Sequence, residues 1–189
     1  MREINSISSE DFKVHEYDDI IDVRSPNEFN EDHLPNALNL PVLDNSEREE
    51  IGTIYKNENP FIAKRKGAAL VSFNISNHLK NYFSDKEKDY SPLVYCWRGG
   101  ERSRSLSIIL NSIGWKPTIL KGGYQGYRKY IIKSLEEILS TSLNLKIISG
   151  LTGSGKTKLL KHLFTNGAQI IDLEGLANHK GSALGDDEK

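Results

Sequence analysis

Pro92-Leu93-Val94-Tyr95-Cys96-Trp97-Arg98-Gly99-Gly100-Glu101-Arg102-Ser103 is the stretch on which the fold turns. A short apolar run of the buried-strand type leads straight into a cysteine, and two glycines follow it. From Arg102 to Ile113 the apolar residues Leu106, Ile109, Leu110 and Ile113 recur at helical spacing, and Gly114 stops them. Strand, glycine loop and helix in that order form one unit of an α/β sheet. A residue at the carboxyl end of such a strand faces the crevice where open sheets bind ligands. Cys96 holds that place. The loop Trp97, Arg98, Gly99, Gly100, Glu101, Arg102 and Ser103 leads to a helix N-terminus, whose free N–H groups and dipole favour negative charge. Gly99 and Gly100 allow the backbone to turn its amides inward, and Arg98 and Arg102 add positive charge. These residues predict a nucleophilic thiolate in an anion-binding bowl, with Cys96 as the catalytic candidate. A cysteine that only packs needs neither the glycines nor the arginines.

Working outward, Asp19-Ile20-Ile21-Asp22-Val23-Arg24 reads as a strand ended by Ser25-Pro26, with Ser25 placed to cap a helical turn. Leu38-Asn39-Leu40-Pro41 is a second strand, and Ser46–Tyr55 is a charged helix. Pro60 opens a long helix through Phe83, and Pro117–Leu120 is a further strand. The glycines at 122, 123 and 126 precede a helix from about Tyr127 to Leu139. This alternation predicts an α/β domain with a mostly parallel sheet over residues 1–140. Asp22 and Arg24 either shape the site wall or form an ion pair at the strand end. His33 is expected to pack or to bond a turn. Trp97 either lines the substrate mouth or covers the sheet edge.

Residues 141–144 read as a polar linker. Leu145-Lys146-Ile147-Ile148-Ser149 then restarts a strand pattern, and Gly150-Leu151-Thr152-Gly153-Ser154-Gly155-Lys156-Thr157 fits G-x-x-x-x-G-K-[ST] in full, with a helix starting near Lys156. In such a loop the amides of Gly150, Gly153, Ser154 and Gly155 cradle phosphates, Lys156 reaches their oxygens, and Thr157 could hold a magnesium ion. Residues 145–189 therefore predict the first βα unit of a P-loop NTPase-like domain. About 45 residues are fewer than a doubly wound domain needs, so an incomplete unit is expected. Asp172, Glu174, Asn178 and His179 cluster after the apolar Ile170-Ile171, as a ligand- or metal-facing edge or as a solvated acidic turn.

The composition, 37% hydrophobic and 27% charged, is that of a globular protein with a real core. No apolar run is long enough to span a membrane, and no signal sequence opens the chain. One cysteine excludes an internal disulfide and suits a reducing, cytoplasmic setting. The net charge of −1 conceals a division: residues 1–60 carry 15 acidic and 5 basic side chains, residues 61–189 carry 11 and 20. That division suits either a set of solvated helix faces, the reading that charge alone favours, or contact of the second part with a polyanion or a phosphorylated ligand.

The spacing Cys96-x5-Arg102 resembles the loop of Cys-based phosphatases and arsenate reductases, and is one residue longer than the usual sulfur-transfer loop of rhodaneses. The flanking Ile21-Asp22-Val23-Arg24-Ser25-Pro26-Asn27-Glu28-Phe29, His33-Leu34-Pro35-Asn36-Ala37 and Gly122-Gly123-Tyr124 resemble a rhodanese domain over about residues 10–135. With Gly67-Ala68-Ala69-Leu70-Val71, Gly150–Thr157 and Asp172–Ser182 in that order, the whole chain resembles the tRNA 2-selenouridine synthases. The resemblance implies replacement of sulfur by selenium at wobble 2-thiouridine of tRNA, with selenophosphate as donor, and linked geranylation from geranyl diphosphate. It implies that Cys96 takes the rhodanese nucleophile's place, that tRNA is the partner, and that no cofactor is tightly bound. Oligomeric state is left open. A generic sulfurtransferase, a Cys-x5-Arg phosphatase and a non-catalytic remnant are the alternatives.

Overall fold

The computed structural model describes residues 3–140, 144–151 and 153–177, and the chain divides into two compact units, Met1–Thr141 and Ser142–Lys189. In the first, five strands form one parallel sheet: β1 (Asn5–Ile7), β2 (Ile20–Asp22), β3 (Ala37–Asn39), β4 (Leu93–Tyr95) and β5 (Thr118–Leu120), in the order β1-β5-β4-β2-β3. Its helices are α1 (Pro26–Glu31), α2 (Asn45–Asn57), α3 (Pro60–Asn81), α4 (Glu101–Ile113) and α5 (Gly123–Ser140). Alternate residues of the central strands feed opposite faces, as the two-residue period of a strand requires. Ile21, Val23 and Val94 pack with Ile75 of α3 and with Leu106 and Leu110 of α4. Ile20, Leu93 and Tyr95 pack with Leu34, Leu120 and Tyr124 on the other face.

The chain order creates a switch point. From β2 it steps outward to β3, then crosses back over β2 to β4 and continues to β5. The connections after β2 and β4 therefore diverge, and a crevice opens between the carboxyl ends of these two strands. They are in register, Asp22 beside Tyr95. Ser25 on one strand exit and Cys96 on the other thus leave the same edge of the sheet.

The helices begin where their capping residues stand. Ser25 and Glu28 form a capping box on α1, and Asp44 and Glu47 form one on α2. Asn59 caps α3, with Pro60 in its first turn. Helix α5 begins at Gly123 rather than near Tyr127, because Gly122 and Gly123, at φ of 75° and 56°, close the turn that starts it. Strand β1, with a single apolar residue, lies on the edge against β5.

In the second unit, α6 (Lys156–Thr165) follows the glycine loop, and α7 (Leu173–Leu176) is one turn. The strand expected at Leu145–Ser149 does not form. A strand is stable only beside a paired neighbour, and no described residue of this unit pairs with it. None of the unit's described residues is buried. Of the linker expected at 141–144, residues 141–143 lie outside the described residues, as do Thr152 of the glycine loop and Asn178, His179 and Ser182.

Candidate active site at the end of the fourth strand

Cys96 leaves β4 with only 3% of its surface exposed. Its Sγ accepts a hydrogen bond from the Gly100 N–H at 3.2 Å and pairs with the Ser103 hydroxyl at 3.3 Å. Gly100 is the N-cap of α4 and Ser103 lies in its first turn, so the sulfur meets the positive end of the helix. Gly99 turns the loop at φ 68°, where a side chain would come within 2.8 Å of the Leu120 carbonyl oxygen. Gly123 approaches from the β5–α5 turn, and a Cβ there would collide with the Cys96 carbonyl oxygen. The Tyr124 N–H donates to that same carbonyl at 2.9 Å, and Gln125 N–H donates to Trp97 O at 3.0 Å. The loop is held from both sides by backbone.

The two loop arginines have partners of their own. Arg102 makes a two-pronged contact with Glu28, Nη1 to Oε2 at 2.6 Å and Nη2 to Oε1 at 3.1 Å. Arg98 Nε donates to Gln125 Oε1 at 3.2 Å. The Arg102–Glu28 pair spans the crevice from the β4 exit to the β2 exit. Burial alone would raise the pKa of Glu28. The Arg102 hydrogen bonds and charge, with the Ser25 backbone and hydroxyl, outweigh it and hold the group at about 2. Glu28 is a residue that the loop-centred reading of the sequence passes over. The signal was present, because Ser25-x-x-Glu28 is a capping-box spacing.

Behind the loop lies a buried cation. Arg24, 1% exposed, donates to Asp22 at 2.7 Å and to the Asp32 carbonyl at 2.6 Å. Its guanidinium lies 4.2 Å from the Tyr124 ring centre and 6.0 Å from that of Trp97. Asp22 and Arg24 are therefore an ion pair at the strand end that also supports the aromatic wall beside Cys96. Trp97 packs on Tyr124 and on the core face beneath it. His33 bonds the Phe29 carbonyl at 2.9 Å and stacks on the Phe29 ring, the turn-bonding role expected of it.

In the second unit Gly153 and Gly155 take positive φ, and Gly155 caps α6. Lys156 Nζ donates to the Gly150 and Leu151 carbonyls at 2.9 and 3.0 Å. The Thr157 hydroxyl donates to Glu174 Oε2 at 3.4 Å. Asp172 caps α7, accepting from the Gly175 N–H at 3.0 Å. Thr157 and Glu174 together offer the hard oxygen donors that magnesium prefers.

Comparison with known proteins follows the same division. Residues 8–130 match the rhodanese-like domain model, and residues 143–189 match that of the tRNA 2-selenouridine synthase AAA domain. A tRNA 2-selenouridine synthase from Bdellovibrio bacteriovorus is 41% identical over 88% of this chain and 43% of its own length. One from Psychromonas ingrahamii is 39% identical over 88% of this chain and 44% of its own. The chain thus spans somewhat under half the length of these relatives. Among solved structures, the N-terminal domain of a Clostridium difficile 630 protein classed as ATP/GTP-binding is 36% identical. The match covers 68% of this chain and 99% of that domain, with a TM-score of 0.57.

Proposed function

We propose, because the chain belongs to the tRNA 2-selenouridine synthase family and carries its rhodanese-like domain, that Cys96 is the reactive thiol of a chalcogen exchange on tRNA. The observation that carries this reading is the Cys96 sulfur facing the Gly100 N–H and the Ser103 hydroxyl at the mouth of the switch-point crevice. Donors fixed in advance stabilise negative charge that appears during reaction without having to reorganise. The exchange puts selenium from selenophosphate in place of sulfur at C2 of wobble 2-thiouridine. It is not a redox step: the P–Se bond breaks, water supplies the fourth phosphate oxygen, and sulfur departs as sulfide. In the linked activity the thiouridine sulfur attacks geranyl diphosphate, a C–S bond replaces the C–O bond, and diphosphate leaves. The Gly150–Thr157 loop would hold the diphosphate. Thr157 and Glu174 would hold magnesium, which would offset phosphate charge there. The setting is the cytoplasm, where tRNA is available.

One observation bears on other chemistry. In a Cys-x5-Arg phosphatase the loop arginine must clasp the substrate, whereas Arg102 is bound at both ends of its guanidinium to Glu28. Chalcogen chemistry is favoured over phosphate hydrolysis. Mass spectrometry of tRNA nucleosides from cells lacking this gene tests the reading. Re-expression of the wild type should restore 2-selenouridine, and Cys96→Ser should not. Restoration by Cys96→Ser would overturn the role of the thiol.

A further inference from the structure

A cleft of about 580 Å³ opens between the start of α1 and one face of α2. Asn27, Asn45, Arg48, Thr53, Lys56 and Asn57 line it, and no apolar residue does. The α2 residues fall at intervals of three and four, so they form one stripe along the helix. The helix rises 1.5 Å per residue, which makes the stripe about 18 Å long from Asn45 to Asn57. The opposite face is committed to packing, since Gly67 of α3 meets Ile51 there. The Asn27 N–H donates to Asn45 Oδ1 at 2.9 Å and fixes the near end.

That near end adjoins the Glu28–Arg102 pair that ties α1 to the cysteine loop. Ser25 lines the cleft, and its N–H and hydroxyl both donate to Glu28, the partner of Arg102. Arg48 Nε also lies 3.9 Å from Glu28. Gly52 is in the middle of α2, where glycine costs about 1 kcal/mol relative to alanine. A side chain there would come within 3.1 Å of the Arg48 guanidinium, so the absence of one leaves room for Arg48 in the groove. Lys56 has no ion-pair partner among the described residues. Glu49 is the one acid of the lining.

We propose that this groove is a track for single-stranded RNA, holding the nucleotides that adjoin the base presented to Cys96. Amides and hydroxyls suit the exposed edges of unpaired bases, and Arg48 and Lys56 suit the phosphates between them. A peptide partner would call for apolar contacts that the lining does not offer. The inference rests on the proposed action on tRNA.

The test measures binding of two RNA probes across a salt series: a hairpin with an unpaired loop, and a fully paired duplex of the same length. Log affinity against log salt falls with a slope of about 0.7 per phosphate neutralised in a single strand. Arg48→Gln with Lys56→Gln should therefore reduce the slope for the hairpin by about 1.4 and its affinity on the order of tenfold at low salt. Both side chains are exposed and the double variant should fold; Thr53→Lys, a gain-of-charge variant, should steepen the slope by about 0.7. Unchanged slopes in both variants, with a wild type that binds the hairpin, overturn the groove and leave the proposed function standing. Equal losses on hairpin and duplex overturn the single-strand assignment. A wild type that binds neither RNA overturns the groove together with action on tRNA.

Discussion

Glu28 joins four things that are far apart in the sequence: the cap of α1, the exit of β2, Arg102 of the cysteine loop, and Arg48 of the groove. Its carboxylate is held at about 2 against an ordinary 4.5. A depressed folded-state value means stabilisation that is fully present above about pH 4.5 and drains away as pH falls toward 2. The fall corresponds to about 3 kcal/mol, which solvent screening of this part-exposed pair reduces to about 2 kcal/mol. Urea denaturation at neutral pH and near pH 2.5 should show the wild type losing about 2 kcal/mol more than Glu28→Gln over that interval; parallel losses would refute the pairing. Gly123 makes a second case. Alanine there must adopt φ near 56° and push against the Cys96 carbonyl, so Gly123→Ala should cost more than about 2 kcal/mol. The same substitution should abolish chemistry at Cys96, and a denaturation midpoint equal to wild type would sink the account. The reactive loop was legible because its signals are local: strand, cysteine, glycines and helix lie within about twenty residues. The Arg102–Glu28 pair was not, because 74 residues separate its partners and only the fold brings them together.

Among the elements, those with several apolar residues in period were readable and those without were not. β2, β4 and β5 carry Ile20-Ile21, Leu93-Val94 and Ile119-Leu120. Asn5-Ser6-Ile7 offers one apolar residue, and it becomes β1 only because the edge of β5 is available beside it. Leu145–Ser149 shows the converse, a strand pattern without a partner. The end of α3 is fixed by a contact that no periodicity encodes. Asp19 Oδ2, just before β2, accepts from Tyr82, Tyr90 and Lys86 at 2.8, 2.7 and 2.9 Å. These three bonds fasten the α3–β4 connection to the N-terminal edge of the sheet. Tyr90→Phe removes one charge-assisted bond and should cost roughly 1–2 kcal/mol, while leaving RNA binding unaltered. Thermal or urea unfolding would check the first part. A variant as stable as wild type would show that the remaining two donors suffice.

At the scale of the molecule the two units differ in what they bury. The first encloses two layers of core around its sheet, whereas the second has no buried residue among those described. Amide hydrogens of residues 144–177 should therefore exchange faster than that of Val94, with α6 the slowest of them. Protection equal to Val94 would show that the second unit is covered in solution. The parallel sheet also gives the first unit two poles with separate tasks. The chain's two tryptophans are divided between them: Trp97 follows β4 at the thiol pole, and Trp115 precedes β5 at the other, its indole N–H on the Glu87 carbonyl at 2.8 Å. The protein thus contains two optical reporters. With Trp115→Phe, the remaining emission comes from a ring packed at a tilt against Tyr124 beside the buried Arg24, so its intensity and wavelength follow events at Cys96. With Trp97→Phe, the emission follows the Phe83–Tyr90 anchor instead, and comparing the two spectra during unfolding tells which pole opens first.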